Sequence, residues 1–484
     1  MAKERRAPHG AIDEAYWDGL DNTAKMIPAI TTSRSPNVYR LTAVLFEAVD
    51  EDTLQAALEK ALSIMPSFSV KLHRGLFWYY FDTNTEHPRV KKEHTYPCRP
   101  IYRAGERGFL FRVSYYERRI NLEMYHALTD GLGAVSFLRL LVYCYFNLKN
   151  PECVPEDFIR CESDMIARDF GEDSFARSAS DATASDAEKE RETDAYHIGG
   201  YRYDGSRLGV LTALLPVDAM LALAKRYGAT LSEYLSALLI WSIYNTSYRR
   251  TSSKRPISVS IPVNLRGMFD SSTLRNFFGH VNVSVTPERS ASFEDILASV
   301  KLRFEKCMTR EYFERQITAH VNIERIPGIK FVPLVIKNAV MRYYFKKNNR
   351  RHTITLSNLG RITLPPMLSG MVERFEVVIC ASDTHVKKVS LCSYENNLTL
   401  TFSSTIDSNS LEQFMLSHLA REGVTVVVSS NETPEPIRAA VLEKSEKREA
   451  RARKRAEKYA ARAEKKAVRA AKKADKKRER GEAR

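Results

Sequence analysis

Between Phe109 and Phe146 the sequence changes its period along its length, and that succession narrows the folds open to the chain. FLFRVSYYERRINLEMYH alternates apolar and polar residues around a turn near Glu117 and Arg118, as two strands of a hairpin do. The alternation stops at His126. Asp130, Gly131 and Gly133 follow, and then the nearly unbroken apolar run AVSFLRLLVYCYF. This order places a histidine at a strand end, beside the start of a helix. Its imidazole has an unperturbed pKa of about 6.5, so it suits proton removal near neutral pH. Asp130 is read as structural: a carboxylate held on an arginine would pin the turn without contacting substrate. Gly131 would allow the tight backbone there. The plain alternative is a hydrogen-bonded histidine that merely closes a strand.

The flanking sequence sets this hairpin inside a larger sheet. Residues 38–49 read as a strand, and DEDTLQAALEKALSIM places Leu54, Ala57, Leu58, Ala61 and Leu62 on one helical face, stopped by Pro66. FSVKLHRGLFWYYF reads as two strands around Arg74 and Gly75. The aromatic cluster Phe77–Phe81 is expected to divide between core and surface rather than to line a cavity. In the second half a strand is expected over Leu208–Leu215 and a helix over Val217–Tyr227. Thr230 and Glu233 form a capping box for the apolar helix that follows. PISVSIPVN and HVNVSVTP read as strands joined by the loop Arg266–Gly279. One long helical pattern runs from Ser292 toward Ile326, ended by Pro327 and Gly328. KFVPLVIKNAVMRYYFKK is too short to span a bilayer; a core helix with solvated ends is favoured over an interfacial one or one shaping a lipophilic acceptor site. The strands TITLSNLG, ERFEVVIC, KVSLCSY and NLTLTFSST, the helix SLEQFMLSHLAREG and the strand TVVVSS complete the second half.

With 484 residues, 44% of them hydrophobic, the chain can build two cores. Its net charge of +15 would suggest nucleic acid were it spread evenly. From Arg438 onward there are 20 Lys or Arg against 8 Asp or Glu, a net of +12, so the body carries only +3. The tail has no apolar stripe with which to pack. Four segments are therefore expected: residues 1–163, a disordered acidic linker at 164–197, residues 198–434, and the basic tail 435–484. The seven cysteines are scattered and never spaced C-x-x-C, which argues for reduced thiols rather than a disulfide frame or a zinc site. Neither a signal peptide nor a transmembrane span is expected, so the expected location is cytoplasmic, with peripheral membrane contact left open. P-loop, dinucleotide-binding, H-E-x-x-H and G-x-S-x-G patterns are absent.

The spacing His126, Asp130, Gly131, with several other stretches, resembles the chloramphenicol-acetyltransferase-like and condensation-domain superfamily. It is most similar to bacterial alcohol acetyltransferase-like, condensation-like proteins. WDGLDNTAKMIPAI with VYRLTAVLFEAVDEDTLQAALEKAL looks like that family's opening strand and helix, and PSFSVKLHRGLFWYYF like its next hairpin. SIPVNLRGMFDSSTLRNFFGHVNVSV is similar to its P-V-N-L-R and N-F-x-G segments, and ITLSNLGRITLP to its S-N-L-G strand. The match covers roughly residues 15 to 430.

The resemblance implies an α/β fold (an α+β sandwich) of two chloramphenicol-acetyltransferase-like subdomains, each a mixed sheet with flanking helices, and an active-site channel between them. It implies that His126 is the general base and that Asp130 pairs with an arginine from the other half, nominating Arg266. Ser357 and Asn358 are nominated for oxyanion or acceptor contacts, although an Asn-x-Gly neighbourhood is also a common turn. Asn264 is a further candidate there, and Asn276 and Gly279 would support the loop. No metal and no bound cofactor are expected. The co-substrate would be acyl-CoA or another acyl thioester, and the acceptor a small or lipophilic alcohol or amine. Two rival readings stay open. One is a condensation-type enzyme fed by a carrier protein. The other is a non-catalytic binding protein whose basic tail holds RNA or an anionic membrane.

Overall fold

In the computed structural model of the chain, residues 17–431 are described, apart from 104, 106–107, 153, 157–173, 180–192 and 204–206. The basic tail, Cys153 and Cys161 lie outside the described residues, as does most of the stretch 164–197. Two hydrophobic cores divide the described body, one built mainly from its first half and one from its second. Each is covered by a mixed sheet with helices.

The strands are β1 Trp17–Gly19, β2 Val38–Leu45, β3 Val70–Arg74, β4 Tyr79–Thr83, β5 Lys91–Lys92, β6 Phe111–Tyr116 and β7 Arg119–Tyr125 in the first half. The second half supplies β8 Gly209–Pro216, β9 Ile257–Asn264, β10 Phe278–Val285, β11 Ile354–Arg361, β12 Val372–Ile379, β13 Lys387–Tyr394, β14 Asn397–Ser404 and β15 Val427–Ser430. A five-stranded sheet runs β12-β2-β7-β6-β5 and a seven-stranded sheet β10-β9-β11-β13-β14-β8-β15, while β1, β4 and β3 form a small third sheet. One strand crosses between the halves. β12 pairs antiparallel with β2 along Val372–Ile379, so ERFEVVIC, expected with its neighbours in the second half, closes the first half's sheet. Its alternate residues explain the move: Phe375 and Val377 join the first core, while the carbonyls of Phe375 and Val377 accept from Thr399 and Ser390 of the second sheet. The strand is thus stitched to both lobes.

Local signals set most helix ends. Asp50 caps Glu51–Ile64, accepting from the amide of Thr53, and Thr230 with Glu233 forms a complete capping box on Leu231–Thr246. The single pattern expected from Ser292 to Ile326 is two helices, Phe293–Cys307 and Arg310–Arg325. Thr309 breaks it by accepting the amide of Tyr312 as a new cap. Helix Gly131–Lys149 is long and apolar enough to cross a membrane, with a mean hydropathy of 1.4, yet it is a core helix here. It packs against Glu51–Ile64, and Phe137, Leu141 and Tyr145 are fully buried. The aromatic cluster also goes into packing: Tyr79 and Phe81 are buried, and Trp78 lies under the ammonium groups of Lys25 and Lys337. The described parts of 164–197 pack as well. Phe175, in helix Ser174–Ser178, meets Phe277 edge-on, and the amides of Ala195 and Tyr196 bond to the carbonyls of Arg350 and Pro256.

Candidate active site

The end of β7 and the start of helix Gly131–Lys149 meet the loop between β9 and β10 where the two lobes touch. Asp130 caps the helix, its Oδ1 accepting from the amides of Leu132 and Gly133. The same carboxylate takes the amide of Phe277 at 3.0 Å and the guanidinium of Arg266 at 2.9 Å. Arg266 is itself buried and saturated. Its Nε donates to the carbonyl of Thr273 at 2.6 Å, Nη2 to that of Arg275 at 2.6 Å, and Nη1 to Asn264 Oδ1 at 3.1 Å. The loop Arg266–Gly279 is wound around one guanidinium that plugs into the other lobe's helix cap. Asn264 thus orients Arg266 through its Oδ1.

Two close approaches explain the glycines of this turn. A Cβ on Gly131 would lie 2.4 Å from Leu359 of β11, and one on Gly133 would lie 2.4 Å from the carbonyl of Leu274. Gly279 is tight for a different reason, since its Cβ would meet Phe313 at 2.5 Å.

His126 stands apart from this pinned region. Its amide donates to the carbonyl of Asn37, Tyr39 meets its ring edge-on at 5.1 Å, and Phe278 lies 5.6 Å away. Nδ1 is 3.1 Å from Asn276 Oδ1. The orientation of that amide follows from Asp21, whose Oδ2 can only accept and takes both Asn276 Nδ2 at 3.0 Å and the Asn276 backbone amide at 3.3 Å. Oδ1 must then face the imidazole, so Nδ1 carries the proton and Nε2 the lone pair. Nε2 makes no hydrogen bond to the described residues. Burial among both lobes holds the imidazole below its ordinary 6.5, and the Lys388 ammonium acts in the same direction, opposed by a hydrogen bond to the histidine's own backbone, the charge of Asp130 and the bond to Asn276. The ring is therefore neutral at neutral pH, with its free nitrogen unprotonated.

Lys388 belongs to a polar row across the seven-stranded sheet. Asn282 pairs with Ser260, Ser260 with Thr355, Thr355 with Lys388, and Lys388 with Ser403. Their strand neighbours Val281, Val259, Ile354 and Val389 fill the second core, so this row turns the other way, toward the first lobe. Lys388 is deep in the protein, and burial lowers its pKa, but it keeps solvent contact as a residue lining a cleft does.

Of the residues nominated from sequence, the structure brings His126 and Asn276 together, and Asp130 with Arg266 and Asn264. Ser357 shares the interlobe face of β11 with Thr355, whereas Asn358 is used locally: its Oδ1 accepts the amide of Gly360 at 2.8 Å and its Nδ2 reaches Ser232 at 3.3 Å. Gly360 has φ +74°, and β11 continues through it to Arg361 with a shifted register, so the segment is a bulge within the strand rather than a turn that ends it. Asp21 and Lys388 were not anticipated. Asp21 looks from the sequence like the N-cap it also is, since its Oδ1 takes the amide of Ala24 at 2.7 Å. Nothing local announces its second bond, 255 residues away. Among the described residues no group of three or more His, Cys, Asp or Glu is arranged to hold a metal.

No protein-family profile matches the sequence, and no curated protein does. Solved structures do match. The first condensation domain of the calcium-dependent antibiotic synthetase is similar with a TM-score of 0.57 at 12% identity, over 84% of this chain and 96% of that one. The trichothecene 15-O-acetyltransferase TRI3 from Fusarium sporotrichioides gives 0.56 at 10% identity, over 85% and 95%. The starter condensation domain of rhizomide synthetase, solved as a variant with C8-CoA and Leu-SNAC, gives 0.54 at 11%, over 84% and 94%. At these identities the likeness is one of architecture: the chain has the two-lobed α/β fold of condensation domains and chloramphenicol-acetyltransferase-like acyltransferases.

Proposed function

We propose that the protein is an acyltransferase moving an acyl group from acyl-CoA to an alcohol or amine acceptor, with His126 as general base. The observation that carries this reading is the fixed tautomer of a neutral imidazole with a free Nε2 at the lobe interface. As the acceptor oxygen or nitrogen attacks the thioester carbonyl, Nε2 takes its proton. When the tetrahedral intermediate collapses, the C–S bond breaks and the imidazolium returns that proton to the leaving thiolate. Protons balance, and no covalent acyl-enzyme is needed. Asp130 and Arg266 hold the turn rigid, and Ser357 and Lys388 are the groups on the opposite face available to developing negative charge. Similar folds crystallised with CoA or an acyl-CoA support a thioester donor.

A carrier-protein donor fits the same geometry, because condensation domains share the fold. In this reading the chemistry is alcohol acetyltransferase-like, the protein is cytoplasmic, and its basic tail contacts an anionic membrane or nucleic acid. Incubation with a panel of acyl-CoAs and candidate acceptors tests the reading: acceptor-dependent release of free thiol is expected. Release only from a carrier-protein thioester would move the assignment to the condensation-type alternative, and no release from either would overturn it.

A further inference from the structure

Helix Leu334–Asn348 was expected to be a core helix, but it carries apolar residues on two opposite sides. Leu334, Asn338, Met341 and Phe345 recur at spacings of four, three and four and face the body, with Leu334 and Asn338 buried and Met341 and Phe345 packed on the first core. Offset by half a turn, Ile336, Val340, Tyr343 and Lys347 repeat the same spacing and face outward. Ile336 is 54% exposed, Val340 49% and Tyr343 66%. Phe331 and Leu76 extend the surface at the helix start, at 78% and 71%. The Leu76 carbonyl holds the Leu334 amide at 2.9 Å, so the two belong to one patch.

The exposure is built in, since the inner side of the helix is firmly anchored. Lys337 Nζ donates to the Phe77 carbonyl at 3.1 Å and sits 3.3 Å above the Trp78 ring, Asn338 Nδ2 donates to Tyr79 Oη at 2.9 Å, and Arg342 Nε to the Ala29 carbonyl at 2.6 Å. A helix held this way cannot rotate to hide its outer stripe. Charge is equally one-sided. No Asp or Glu occurs from Arg325 to Val372, while residues 325–351 contain eight Lys or Arg, of which Lys330, Lys346 and Lys347 are exposed beside the stripe.

Contiguous exposed apolar surface is uncommon on soluble proteins and marks a contact. We propose that this face docks on an anionic lipid bilayer, with Phe331, Ile336 and Val340 entering the headgroup boundary, Tyr343 at headgroup level and the lysines on lipid phosphates. The border is basic apart from Glu324, whose charge is paired with Lys25, and so selects an anionic partner. The convex outline of a single helix and a hairpin tip suits a fluid apolar layer, which needs no complementary pocket. Docking would also place the bilayer near the site: helix Leu334–Asn348 packs on Asn22–Ile30, whose cap Asp21 orients Asn276. The inference does not depend on acyl transfer.

Flotation of the full chain with phosphatidylcholine vesicles, with and without phosphatidylglycerol, tests it. Binding is expected only with phosphatidylglycerol. Ile336→Ser/Val340→Ser/Tyr343→Ser, which removes the exposed edge-on contact of Tyr343 with Tyr344 but leaves the anchored inner side of the helix intact, should weaken that binding about tenfold or more with the melting temperature little changed. Lys346→Glu/Lys347→Glu should weaken it too. Both variants keep the basic tail, so wild-type flotation of the triple variant would assign binding to the tail and overturn the proposal. It is equally overturned if the wild type does not float, or if sedimentation shows a dimer that the triple variant abolishes, which would make the face a contact between copies.

Discussion

His126 and Asp130 lie four residues apart and are held in opposite ways. Asp130 is sealed: a helix cap, the Phe277 amide and the Arg266 guanidinium occupy its oxygens, and both charged partners are buried. His126 is held through Nδ1 by one side chain and leaves Nε2 free. The difference separates rigidity from reactivity. A turn that must not move is fixed by charge and many bonds, while a group that must exchange a proton is oriented by a single neutral amide and kept uncharged by burial.

The comparison breaks most severely at its rigid end. Asp130→Ala leaves Arg266 buried without a counter-charge and removes a helix cap, so about 3–5 kcal/mol of stability should be lost, measured by denaturant unfolding. Activity should fall with it. A stability unchanged within error would mean that the lobes are held together elsewhere.

The reactive end is sharpened by Lys388→Met. An ammonium disfavours the imidazolium and so depresses the His126 pKa; its removal lets that pKa rise. At a given acidic pH less of the enzyme then has a neutral base, so the acid limb of kcat/KM should move to higher pH, with the limb of the wild type below 6.5. A limb that stays in place would remove Lys388 from the electrostatics of the site. Asn276→Ala should have a smaller effect. One neutral hydrogen bond is worth about 1 kcal/mol, hence about fivefold in rate, through loss of the preferred tautomer, and the donor lost by the buried Asp21 carboxylate should cost about 1–3 kcal/mol of stability. Smallest of all, a chain ending near Pro436 should keep its transfer rate on a soluble acceptor and lose only the tail's salt-sensitive share of its binding to anionic vesicles or RNA. Loss of transfer on truncation would mean that the tail belongs to the catalytic body.

What could be read from the sequence was what neighbouring residues decide. The hairpin at Glu117 and Arg118, the capping box at Thr230 and Glu233, and a histidine at a strand end all follow from signals a few residues wide. The fold and the pairing of Asp130 with Arg266 came from the resemblance, since periodicity says nothing about residues 136 apart. What stayed hidden depends on tertiary placement. Periodicity shows that β12 is a strand but not which sheet it completes. It shows that helix Leu334–Asn348 is apolar, but a second stripe looks the same whether it meets a core or solvent. The Asp21–Asn276–His126 chain joins three distant segments, and no local pattern links them.

The central claim is that His126 is the base for acyl transfer, and His126→Ala tests it most directly. Acceptor-dependent thiol release from the acyl-CoA that the wild type prefers should fall roughly 10²- to 10⁴-fold in a variant with wild-type melting behaviour, the range typical of one general base. Wild-type turnover in that folded variant would contradict the account.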